Sequence, residues 1–205
     1  IYHSQFIEHL NPDQGLFFLK ECLRILKKGG IMRIVTPDFE NQVMEYLSLL
    51  NQIKSDPDNI NNSLKYKWIK LEILDQLARN QSGGEQVTFL MKNGKKLREY
   101  IIDRLGRSGR DLLDHFGHSS DDGFLKSIAR KWYRKIKNFG SIHSKIGKFR
   151  LGGEVHYTVY DAYDLNVLLN RAGFNSVEVM TFDKSNIPDW NLTELDCTKD
   201  GLHDG

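Results

Sequence analysis

Apolar residues recur at Leu16, Leu19, Leu23 and Leu26, with Phe18, Cys22 and Ile25 widening the stripe. Spacing of three and four predicts an amphipathic helix with one buried face. Its start is marked: Asn11 offers a side-chain oxygen as N-cap, Pro12 stands where a missing N–H costs nothing, and Gln14 completes a loose capping box. Lys27 and Lys28 suit the negative C-terminal end, and Gly29 or Gly30 can take the left-handed conformation that stops the helix. Ile31 to Val35 then form an almost continuous apolar run ended by Thr36-Pro37, which predicts a strand buried on both faces. Helix, tight turn and buried strand make half of a βαβ unit.

The next apolar positions again follow helical spacing. Val43, Met44, Leu47 and Leu50 predict a helix from Glu40 to Leu50, and a polar break with Pro57 covers 51–63. Leu64, Trp68, Leu71, Leu74 and Ala78 predict a second helix, ended near Asn80 and Gly83-Gly84. A third runs from Glu85 to Leu105 on Val87, Leu90, Met91, Leu97, Ile101, Ile102 and Leu105, with Asn93-Gly94 as a place where it breaks. Towards the C-terminus, Val155 to Val159 is β-prone, and Asp161 caps a helix using Leu165, Leu168, Leu169 and Ala172 before Gly173. The alternation at 176–181 predicts a strand with one face buried. From Phe182 to Gly205 the chain is mostly polar and is expected to be an extended or poorly ordered tail. The division that follows is a core segment at 1–45, a mostly helical insertion at 46–152 and a late core segment with a polar tail at 153–205.

Composition adds bounds. A 40% hydrophobic and 27% charged content belongs to an ordinary globular domain. No apolar run reaches the ~20 residues of a membrane span. Cys22 and Cys197 do not make a disulfide framework, so a reducing, cytoplasmic setting is expected, with Cys22 a buried small hydrophobe. The net charge of +2 conceals one basic segment. Between 123 and 153 there are nine lysines and arginines (Lys126, Arg130, Lys131, Arg134, Lys135, Lys137, Lys145, Lys148, Arg150) and no acidic residue. Trp132, Tyr133, Phe139 and Phe149 are interleaved. Two readings stand: a surface for a phosphate-bearing partner, or a solvated amphipathic helix packed through Ile128, Trp132 and Ile136. No nucleic-acid module is present, so nucleic acid is not the expected partner. Peripheral membrane contact through 126–150 stays open.

The order His3-Ser4, Glu8-His9-Leu10, helix, Leu26-Lys27-Lys28-Gly29-Gly30, strand, Pro37-Asp38 resembles the second half of class I S-adenosylmethionine-dependent methyltransferases. It looks like a bacterial, type 11-like group of that family, with Glu-His after the fourth strand and a Gly-Gly turn before the fifth. A second block agrees: Gly153-Glu154-Val155-His156, Tyr160-Asp161-Ala162-Tyr163-Asp164-Leu165, Leu168-Leu169 and Ala172-Gly173-Phe174 resemble the family's late segment. The resemblance implies an α/β, Rossmann-like class I methyltransferase fold, incomplete at the N-terminus, with a helical insertion and a mostly parallel sheet carrying helices on both faces. It implies S-adenosyl-L-methionine as cofactor and a small-molecule or glycan-linked acceptor. The family's Gly-rich loop after the first strand and the acidic residue ending the second are absent. The 205 residues are therefore expected to be an inactive piece of a longer enzyme. The alternative is a non-catalytic binding or scaffolding protein that uses residues 126–150.

By the same resemblance, Tyr2, His3, Ser4 and Gln5 border the methionine part of the cofactor, and Glu8 and His9 lie near the methyl donor and acceptor. His9 is the first candidate for general base, since an imidazole titrates near neutrality. The plain alternative for Glu8-His9 is a structural pair that ties down the loop. Pro37, Asp38 and Phe39 are candidates for the acceptor pocket, and His156 and Tyr160 for closing the site from the other side. No metal is expected: His115 and His118 beside Asp114, Asp121 and Asp122 fit a solvated turn, and no tetrahedral Cys/His set exists. No Gly-x-Ser-x-Gly elbow supports a hydrolase. The insertion lies either as a lid beside the ligand crevice or as a packing surface.

Overall fold

A β–α–β unit opens the chain. In the computed structural model, which describes residues 1–116, 142–198, 201 and 203, strand β1 (Tyr2–Ser4) pairs in parallel with β2 (Arg33–Val35), His3 opposite Ile34. A 3-10 turn (Ile7–His9) and helix α1 (Pro12–Ile25) connect them. The capping box forms as expected: Gln14 N donates to Asn11 Oδ1 at 3.0 Å and Asn11 N to Gln14 Oε1 at 3.1 Å. Gly29 takes φ +74°, the left-handed turn expected there.

Six further α-helices follow among the described residues: α2 (Phe39–Ser55), α3 (Ile60–Ala78), α4 (Gly84–Asn93), α5 (Arg98–Phe116), α6 (Ile142–Arg150) and α7 (Ala162–Ala172). The break expected at Asn93-Gly94 separates α4 from α5. Asp161 caps α7 and Gly173 closes it at φ +107°.

Two apolar cores result. In the first, α1 and α7 pack on the sheet through Ile7, Leu19, Tyr160, Leu168, Leu169 and Ala172. In the second, α3, α4 and α5 surround Trp68 with Leu90, Leu97, Ile101 and Leu113. The stretch 154–158 joins them. His156 N donates to Gln76 O on α3 at 3.1 Å, while Tyr157 N donates to Glu8 O beside β1 at 2.8 Å. Arg150 reaches the Leu77 and Arg79 carbonyls, and Glu154 accepts from Arg79 and from Gly83 N, so the C-terminal end of α3 is tied to the same stretch.

Among the described residues the architecture is thus mostly helical with one small parallel sheet of two strands, which is compatible with an α/β fold. The expected strand at 176–181 makes no ladder, and neither does Val155 to Val159. A ladder needs a neighbouring strand in register: the 155–158 backbone hydrogen-bonds only to single groups of Gln76, Glu8 and the His9 side chain, and no strand among the described residues runs beside 176–181. Val177 packs on the first core but Val179 is 78% exposed. β2 is half-buried rather than buried on both faces, and Ile31 is exposed.

The described part of the tail is anchored, against expectation. Asp196 is 4% exposed and ion-paired to Arg33, and its Oδ1 accepts from Tyr2 Oη at 2.7 Å. The Arg33 guanidinium lies over the Trp190 ring, 4.8 Å from its centroid. His203 docks at a kink in α5, where Gly106 takes φ +55° and Arg107 N donates to His203 O at 2.8 Å. The basic stretch up to residue 141, with His118, Asp121 and Asp122, lies outside the described residues.

Candidate functional site

Where the carboxyl ends of both strands meet the 154–158 stretch, three donor side chains converge. β1 leads directly into the 3-10 turn, whose Ile7 is fully buried in the first core and so fixes the next two residues. Glu8 is 1% exposed. Its Oε2 accepts from Thr36 Oγ1 at 3.4 Å, from the residue that follows β2, and its Oε1 is buried without a hydrogen bond. His9 is held by Val155: Nδ1 lies 3.3 Å from the Val155 carbonyl oxygen. A carbonyl only accepts, so Nδ1 carries a proton, and in the neutral imidazole the lone pair is then on Nε2. His156, 9% exposed, meets His9 edge to face with ring centroids 4.5 Å apart. One ligating atom from each of Glu8, His9 and His156 lies within 4.8 Å of the others.

The electrostatics follow from burial. Desolvation raises the Glu8 carboxyl above its usual range, against the opposing pull of nearby backbone N–H groups, His9 and Thr36. Burial, with His9 and Arg79 adding to it, holds the His156 imidazole down at about 4, so it is neutral at pH 7. Arg79 is itself offset by Asp75 at 3.5 Å and Glu154 at 3.1 Å. A carboxyl group and two imidazoles in this setting can accept a proton or ligate a cation.

Of the residues expected to border a cofactor, Tyr2 is committed to Asp196 and packs on Trp190. His3 lies between the rings of Phe6 and Phe18, with both ring nitrogens buried and unpartnered. Ser4 and Gln5 are the two left at the strand end, and Gln5 adopts φ +50°, uncommon for a residue with a side chain. Asp38 caps α2 by accepting from Asn41 N at 3.0 Å, with Pro37 and Phe39 half-buried around it. Tyr160 belongs to the first core, and burial pushes its hydroxyl up. Thr36 and Arg79 were not foreseen: a threonine before a proline and an arginine ending a helix carry no signal until the fold sets them beside Glu8 and His156.

Compared with models of known families, with curated proteins and with solved structures, the chain finds no match in any of the three.

Burial holds His3 down at about 4, against 6.5 for the free side chain. Between those values the unfolded chain takes up a proton that the folded chain refuses, so this contribution is complete above pH 6.5 and lost as pH falls towards 4. After allowance for partial exposure it amounts to about 2 kcal/mol. Urea unfolding of wild type and His3→Leu at pH 7 and pH 4 checks it. The wild type is expected to lose about 2 kcal/mol more than the variant over that interval, and equal losses would show that His3 titrates normally.

Proposed function

We propose that this chain is part of an S-adenosylmethionine-dependent methyltransferase acting on a small-molecule or glycan-linked acceptor, with Glu8 and His9 at the transfer site. The observation that supports this most is the parallel β1–α1–β2 unit, whose strand ends bring Glu8, His9 and Thr36 to one edge, where His156 joins them. In open α/β folds that edge is where ligands bind.

The cofactor supplies a methyl group already activated on a sulfonium, so the protein has to align the acceptor, exclude water and remove a proton. Ser4 and the exposed Gln5 are the residues of β1 and its end that can border the methionine portion; Tyr2 and His3 are already engaged in packing. His9 takes the acceptor hydroxyl proton at Nε2, because its Nδ1–H is fixed on Val155. Glu8 stabilises the imidazolium that results, and His156, neutral beside it, does not oppose the charge.

Calorimetric titration of S-adenosylmethionine into the 205-residue chain and into the longest product of its gene tests the reading. Binding is expected for the longer product, with His9→Ala lowering methyl transfer by roughly 10²–10⁴-fold and leaving cofactor affinity unchanged. If neither polypeptide binds the cofactor, the proposal falls.

A further inference from the structure

We infer that Glu8, His9 and His156 form a binding site for one divalent first-row transition ion, of the zinc or ferrous type. The donor set is two imidazoles and one carboxylate, which supplies three ligands and leaves further positions open. Among the described residues these three are the group whose ligating atoms come within 4.8 Å of one another. Two donors on one ion at ~2.1 Å stand at most ~4.2 Å apart, so side-chain rotation of less than about an ångström closes the site.

A second observation points the same way. Glu8 is 1% exposed, and its Oε1 has no hydrogen-bond partner. A buried carboxylate oxygen without a donor is costly, and a cation at that point removes the cost. Arg79, whose charge acts on His156, is itself paired with Asp75 and Glu154. The supports around the donors are those that ligands need. Val155 O accepts from His9 Nδ1 and fixes the tautomer that leaves Nε2 free, and Thr36 Oγ1 steadies Glu8 Oε2. His156 is fixed through its backbone, which donates to Gln76 O.

The inference rests on these side chains and not on the methyl-transfer reading. If both hold, an open coordination position would receive the acceptor hydroxyl and lower its pKa, so that solvent water would take the proton in place of His9, whose Nε2 would be a ligand.

The test uses the whole 205-residue chain, stripped with a chelator and titrated with Zn²⁺ by calorimetry and with Co²⁺ by absorption. One equivalent is expected to bind, His156→Ala and Glu8→Gln are each expected to weaken it at least tenfold, and His143→Ala, at an exposed histidine on α6, is expected to leave it unchanged. Glu8→Gln also answers the concern that a variant fails to fold: it removes a buried carboxylate and is expected to melt no lower than the metal-free wild type. Absence of saturable binding, or binding that survives both Glu8→Gln and His156→Ala, overturns the inference. Neither outcome depends on whether S-adenosylmethionine binds.

Discussion

Replacing Asp196 with alanine is expected to cost about 3–5 kcal/mol, because it strands a buried guanidinium. The Arg33 side chain is 10% exposed and Asp196 is 3%, and the carboxylate also accepts from Tyr2. Without it, Arg33 keeps the carbonyls of Lys184, Thr181 and Phe182 and the face of Trp190, all neutral groups. Since a domain is stable by only ~5–15 kcal/mol, such a loss is visible as a large fall in the urea midpoint. The mechanism makes a sharper claim about the double variant Arg33→Met/Asp196→Leu. Removing both charges together is expected to be milder than removing one, since no unpaired ion stays buried. A double variant as unstable as Asp196→Ala would mean that shape, not charge, holds the tail against the sheet.

That anchor also shows where the sequence was opaque. A polar tail carries no periodic signal, and a pairing across more than 160 positions has no local trace; the fold alone brings Asp196 to Arg33. The helices were legible because their caps and breakers are local: Asn11 with Gln14, Asp161 and Gly173 act where they stand. Their buried faces were less so. In α2 the apolar pattern pointed to Met44 and Leu47, which are 56% and 50% exposed, while Gln42 and Leu49 are buried. In α3 it pointed rightly to Trp68, which is fully buried, but also to Leu74 and Ala78, which are exposed, while the inward side carries Glu72, Asp75 and, just past the end, Arg79. Hydrophobic periodicity misses a face whose buried members are charged and paired. The candidate site shows the same division. Glu8, His9 and His156 were each identifiable, but their convergence depends on Tyr157 and Thr158 hydrogen-bonding to the Glu8 carbonyl, a long-range contact that no spacing encodes.

Trp68→Ala is expected to be about as damaging, at about 3–5 kcal/mol, for a different reason. Trp68 is fully buried at the centre of the second core, and its ring lies 5.8 Å from that of Phe89. Truncation leaves a cavity that α3, α4 and α5 cannot all close. It also removes the Nε1–H donated to Glu72 Oε2 at 3.0 Å. Glu72 does not become an orphan, because Arg104 Nη2 still donates to its Oε1 at 2.6 Å and Gln42 lies at 3.5 Å. The packing loss therefore outweighs the polar one, and Trp68→Phe separates them: most of the ring volume stays, the donor goes, and the cost is expected to be about 1–2 kcal/mol. Chemical denaturation of the three proteins decides it. If Trp68→Phe falls as far as Trp68→Ala, the hydrogen bond to Glu72 and the charged row it belongs to, rather than the apolar cluster, hold this half of the protein together.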